Sequence, residues 1–217
     1  AAMKRAPTHV FSLLTRLRQT CCDTSLLPWR KGLPPSGGKT ELLLEKLPDL
    51  IAAGSKALVF SQFTSYLTII KKLIREHLPE TPVHELTGGT RDRGAPVKAF
   101  EEAKEAAIML ASLKAGGLGV TLRAADYVFL MDPWWNPAAE EQAIDRAHRL
   151  GRERPTFVYR LVARGTVEER VRQLQGQKRE AFRRIIGRLE PAGALADHFS
   201  TLRELVELRE EPAKTNC

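Results

Sequence analysis

Cysteine is scarce in this 217-residue sequence: there are three, and two of them, Cys21 and Cys22, are adjacent. Three thiols build no disulfide framework, and neighbouring cysteines make neither a C-x-x-C zinc knuckle nor an easy mutual bridge. A reducing compartment is therefore expected, cytoplasmic and nucleoid-associated, or nuclear in a eukaryote. Long apolar runs are missing as well. None approaches the ~20 residues that span a bilayer, and the first residues carry no signal-peptide core, so neither a membrane nor a secreted protein is expected. Internal repeats and low-complexity tracts are absent too. What is present in excess is positive charge: Lys plus Arg number 34 against 26 Asp plus Glu, a formal +8. Such a balance favours a polyanionic partner. Hydrophobic residues make up 43% of the chain, ordinary for a globular core.

Apolar Val10, Leu13, Leu14 and Leu17 stand at helical spacing, with Arg16 and Arg18 read as a basic face, so residues 1–27 are expected to form a helix. PWRKGLPPSGGK (28–39) holds three prolines and three glycines and reads as a linker running to residue 40. Beyond it, apolar strands alternate with amphipathic helices. The strands are ALVFS (57–61), VHELTG, AIMLAS, YVFLMD and TFVYRLVA, with ALVFS expected to be buried on both faces. This alternation implies βαβ units: an α/β protein whose parallel sheet has helices on both faces. The main body is expected over 41–187, and 188–217 as a helical tail containing LADHFSTLRELVELREE.

SGGKT (36–40) imitates the end of a phosphate-binding loop, yet Leu33 stands where GxxxxGK[ST] requires its first glycine, and no apolar strand precedes it. The bland reading is a Gly-Pro linker with Lys39 entering the next helix. No DExH-like acidic pair ends an apolar strand either, so the chain lacks the parts that grip a triphosphate and its magnesium.

The informative block is ASLKAGGLGVTLRAADYVFLMDPWWNPAAEEQAIDRAHRLG, residues 111–151. Ser112 precedes the glycine turn of Gly116, Gly117 and Gly119. An apolar strand then ends in Asp132, followed by Trp135, Asn136 and Pro137, and by Gln142, Arg146 and Arg149. On a helix the last three lie at offsets of zero, four and seven, one stripe about two turns long. Two guanidiniums on one stripe make a fork for phosphate oxygens. The structural alternative is an Asp145–Arg149 surface ion pair at i,i+4. His148 lies off that stripe and reads as solvated.

In this order the motifs resemble the second RecA-like lobe of superfamily-two helicases, specifically the Swi/Snf branch of DNA translocases, of bacterial type. VFSQF (59–63), LTGGTRDRGAPVKAF (86–100) and VYRLVARGTVEERV (158–171) extend the likeness, and LRQTCC (17–22) with SGGKTELLLEKL (36–47) resembles the segment joining two lobes. Thr121 and Arg152 depart from the usual Asn and Gln.

The resemblance implies a three-layer RecA-like fold and the second motor lobe of an ATP-dependent double-stranded DNA translocase or remodeller. ATP and Mg²⁺ would be held mainly by an N-terminal lobe, no metal by this chain, and this chain alone would be inactive. Arg146 and Arg149 would act on the transferring phosphoryl group, where an arginine from outside the cradle is worth ~10³ to 10⁵ in rate. Gln142, Gly117 and Gly119 would meet nucleotide. Ser61, Gln62, Gly88, Gly89, Thr90, Ser112 and Lys114 would meet the DNA backbone, while Trp135 and Asn136 would couple the two sites by packing. Partners would be double-stranded DNA, the N-terminal lobe and a protein substrate on DNA. The rival reading is a stand-alone basic Rossmann-like module that binds nucleic acid or protein without ATPase activity.

Overall fold

The computed structural model describes residues 6–30, 32, 34–112, 122–147 and 155–186, the side chains of 6–10 and 177–186 excepted. Five strands, β1 (Ala57–Ser61), β2 (Val83–Leu86), β3 (Ile108–Ser112), β4 (Tyr127–Leu130) and β5 (Phe157–Arg160), form one sheet. Its order is β2-β3-β1-β4-β5 and every pairing is parallel, with Ser61 opposite Ser112. Each strand falls inside the apolar run that marked it. β1 and β3 are buried at every position, as continuous apolar strands in the middle of a parallel sheet must be.

Helices cover both faces. On one, Leu43 and Leu47 of α2 (Gly38–Ala52) and Tyr66, Ile70 and Ile74 of α3 (Thr64–His77) pack on Val59, Leu110 and Phe129. On the other, Phe100 of α4 (Gly94–Glu102) and Ala143 and Ala147 of α5 (Pro137–Ala147) pack on Phe60, Met109 and Val128. This is the three-layer α/β arrangement expected. α2 stops where Gly54 adopts a left-handed φ of +72°, its N–H donating to the Ile51 carbonyl at 2.9 Å. The coverage thins at β5, an edge strand with exposed Phe157 and Tyr159. These rings stack on Tyr127 and Phe129 at centroid distances of 5.3 and 5.0 Å.

α1 (Ala6–Cys22) lies beside α6 (Val167–Ile186), joined through a small cluster of Leu14, Val167, Trp135 and Leu174. Its orientation corrects the expected basic face. The buried stripe is Leu14, Arg18 and Cys22, each at most 3% exposed, whereas Leu13 and Leu17 are 46% and 39% exposed. The Pro/Gly-rich stretch is also shorter as irregular chain than its composition suggests. Pro28–Arg30 forms a single 3₁₀ turn, and α2 already begins at Gly38, with Lys39 and Thr40 buried. The chain is drawn in at Gly37, where a Cβ would lie 2.5 Å from the Cys22 carbonyl oxygen. The expected tail, 188–217, lies outside the described residues.

Candidate functional site

The carboxyl ends of the strands carry six of the expected site residues, Ser61, Gln62, Gly88, Gly89, Thr90 and Ser112, at the end of the sheet where α/β folds assemble their sites. Gly88 and Gly89 follow β2, exposed in a tight turn in which Thr90 Oγ1 accepts from the Thr87 N–H at 2.9 Å. Ser112 ends β3 and is buried; Ser61 ends β1 and Gln62 follows it. Asp132 stands just beyond β4. Gly117, Gly119, Lys114 and Arg149 lie outside the described residues.

Asp132 is the centre of what the edge builds. Only 1% exposed, it accepts from Ser61 Oγ at 2.5 Å and from Gln62 Nε2 at 2.5 Å, with Arg18 Nη2 3.6 Å away. Burial lifts its carboxyl above the ordinary carboxylate range, and the Ser61 hydroxyl and Arg18 guanidinium oppose that lift. Burial likewise lowers the guanidinium of Arg18, with Asp132 acting against it. Ser61 has no exposed surface and its hydroxyl is committed to Asp132.

The residues after β4 form a strap, Met131–Trp135, gripped from several elements. Lys39 Nζ of α2 donates to the Met131 carbonyl at 2.8 Å and to both oxygens of Glu168 at 2.6 and 2.5 Å. Arg18 of α1 donates to the Pro133 carbonyl at 2.5 Å and to Gln62 Oε1 at 2.9 Å. Gln175 of α6 donates to the Trp134 carbonyl, and the Trp134 N–H to Glu140 Oε2 at 3.4 Å. Glu140 is in turn held by Arg160 at 2.9 Å. Glu168 is buried with Lys39, and desolvation raises its carboxyl while the ammonium opposes. The guanidinium carbon of Arg18 lies 5.5 Å from the centroid of Trp135 and 5.6 Å from that of Phe63. Trp135 packs against Leu14 and Val167, and cation–π attraction adds to its contact with Arg18.

The strap runs into α5. Asn136 caps it, its Oδ1 accepting from the Ala138 N–H at 3.1 Å, and Pro137 occupies the first helical position, where no backbone donor is needed. Gln142 is exposed one turn before half-buried Arg146, on the same side of the helix. The Arg146 carbonyl accepts from the Leu122 N–H at 3.1 Å, which ties the chain after the glycine turn to the end of α5.

Arg18, Lys39, Glu140, Glu168 and Gln175 were not singled out from sequence. For Arg18 a signal exists: Leu14, Arg18 and Cys22 share i,i+4 spacing, so the arginine sits in line with two residues that favour burial. Lys39 offers none. Its carboxylate partner is 129 residues away, and a cation in the first turn of a helix opposes the macrodipole. Among the described residues no cluster of His, Cys, Asp and Glu forms a metal site, and no helix is long and apolar enough to cross a membrane.

The helicase conserved C-terminal domain family matches residues 38–151. The DNA repair protein RAD5B of Arabidopsis thaliana is 43% identical over 82% of the chain, and an uncharacterized ATP-dependent helicase of Mycoplasma pneumoniae is 37% identical over 79%. The chain spans only 13% and 16% of their lengths. Among solved structures, the C-terminal domain of the Sulfolobus solfataricus SWI2/SNF2 ATPase superposes with a TM-score of 0.68 at 29% identity, covering 93% of this chain and 82% of that one. A five-stranded parallel sheet, the ordered motifs on its carboxyl edge and these likenesses lead to one assignment: the chain belongs to the helicase conserved C-terminal domain family, in its Swi/Snf-type ATPase branch.

Proposed function

We propose that this chain is the second motor lobe of an ATP-dependent double-stranded DNA translocase or remodeller. In this reading a first lobe cradles ATP and Mg²⁺, and Arg146 and Arg149 reach across the cleft to the transferring phosphoryl group. Gly88, Gly89, Thr90, Ser112 and Lys114 line part of a track for the DNA backbone, while Gln142, Gly117 and Gly119 face nucleotide. Ser61 and Gln62 enter as holders of Asp132 and the strap instead of phosphate ligands, because their polar atoms are engaged there.

The observation that carries the proposal is the mounting of α5. A short helix bearing Gln142 and Arg146 is anchored at its start by a strap with gripped carbonyls, and the strap begins on the edge that carries Ser112 and the Gly88–Gly89 turn. Such preorganisation is what an arginine needs to meet charge that develops only in the transition state. The names of the relatives support ATP as fuel and DNA as substrate.

The test uses the two-lobed protein with Arg146→Ala, Arg149→Ala, Arg149→Lys and Asp145→Ala, measuring single-turnover ATP hydrolysis with duplex DNA and, separately, ATP affinity. Both arginine-to-alanine changes are expected to abolish DNA-stimulated hydrolysis while ATP still binds. Lysine should not rescue, because it loses the planar fork. Near-normal turnover in Arg149→Ala would end the reading. The 217-residue chain alone should show no ATPase and should bind duplex DNA weakly with steep salt dependence.

A further inference from the structure

Between β1 and β4 the connections leave the sheet edge in opposite directions, β1 leading toward β2 on one side and β4 toward β5 on the other. In a doubly wound sheet that divergence opens the crevice where ligands usually bind. Here the chain fills it itself. Arg18 enters from α1, outside the matched family region, and lies 3% exposed among Gln62, Asp132, Pro133, Phe63 and Trp135.

Stability alone is a poor account of this arginine. Desolvating a cation offsets much of its Coulomb gain, and a well-packed apolar residue often does as well. Its Nε is moreover buried with no hydrogen-bond partner among the described residues. What Arg18 does satisfy is geometric. One guanidinium nitrogen binds the Pro133 carbonyl, the other binds Gln62, and Gln62 is itself bonded to Asp132 and to Pro133. A planar fork fixes direction as well as distance. Three residues after Pro133 comes the cap of α5, the helix Pro137–Ala147 that carries Arg146.

We infer that Arg18 is a positioning residue: by clamping the strap at Pro133 it sets the direction in which α5 presents Arg146. This rests on the arginine reading given under Proposed function. It extends that reading to α1, the helix that carries the clamp.

The experiment compares Arg18→Lys, Arg18→Met and Arg146→Ala in the two-lobed protein, measuring kcat and KM for ATP with saturating duplex DNA, together with the urea midpoint. Misplacing a catalytic group by about 1 Å costs ~10²-fold. Arg18→Lys keeps the charge but not the fork, so kcat should fall ~10- to 100-fold. KM for ATP and the urea midpoint should stay close to wild type. Amide exchange in the 217-residue Arg18→Met chain should quicken over residues 133–147 while β1 and β3 keep their protection. Wild-type kcat in folded Arg18→Lys overturns the inference, as does exchange that quickens uniformly. If both variants unfold, Arg18 is merely structural and the inference fails. An active Arg146→Ala sinks the arginine reading instead, and the exchange pattern then reports on the clamp alone.

Discussion

Lys39 provides the most direct test of how the strap is held. In Lys39→Met the buried Glu168 carboxylate loses its only cationic hydrogen-bond donor among the described residues and keeps the Ala163 N–H at 2.9 Å; the Met131 carbonyl also loses its ammonium. Removing one partner from a buried pair costs ~3–5 kcal/mol. At ~2–4 °C per kcal/mol for a chain of this size, Tm should drop by roughly 6–20 °C. Adding Glu168→Gln removes the stranded charge and should restore all but ~1–2 kcal/mol, the cost of an incompletely bonded amide. Urea unfolding followed by circular dichroism gives the four free energies of the cycle, provided the m-value is constant. Their coupling should reach ~2 kcal/mol or more. A loss below ~1 kcal/mol in Lys39→Met, or strict additivity, would mean that the lysine is a solvated linker residue that holds neither Glu168 nor the strap.

Adjacent glycines should respond with opposite signs. Gly37→Ala meets the Cys22 carbonyl at 2.5 Å and should cost ~1–3 kcal/mol, while Gly38→Ala, in open space at the first helical position, should be neutral or gain ~0.4–1 kcal/mol. Equal urea midpoints for the two would contradict the docking of the α2 start. Tyr66→Phe leaves the Thr40 hydroxyl without its 2.8 Å partner and should cost ~1–2 kcal/mol, read from the same unfolding curves; no loss would show that water serves Thr40 equally well. His84 is lowered from its ordinary 6.5 by burial and then by Lys56, so its neutral form is the one the fold prefers. Its contribution is therefore present above pH 6.5 and is lost as pH falls through that value toward the folded pKa. His84→Gln should flatten the Tm profile just below pH 6.5; an unchanged slope would exclude His84 as its source.

The strands and their parallel order were open to a sequence reading because burial on both faces demands uninterrupted apolar runs, and ALVFS and IMLAS have no polar interior position. The start of α5 also rests on local chemistry, Asn136 capping it and Pro137 needing no donor there, although the resemblance assigns Asn136 to packing and not to a cap. Tertiary structure decided the charges. From sequence Lys39 looks solvated, and the line of Leu14, Arg18 and Cys22 points Arg18 inward without showing what would meet its charge, because burying a cation is unfavourable unless a carboxylate or carbonyl meets it. Here those acceptors arrive from 92 to 129 residues away. The same dependence on distant partners turned α1 so that Leu14 and Arg18 face inward while Leu13 and Leu17 face out. Apolar periodicity reports which side of an element avoids water; only the assembled sheet edge, with Asp132 and the Pro133 carbonyl in place, tells an arginine where it is needed.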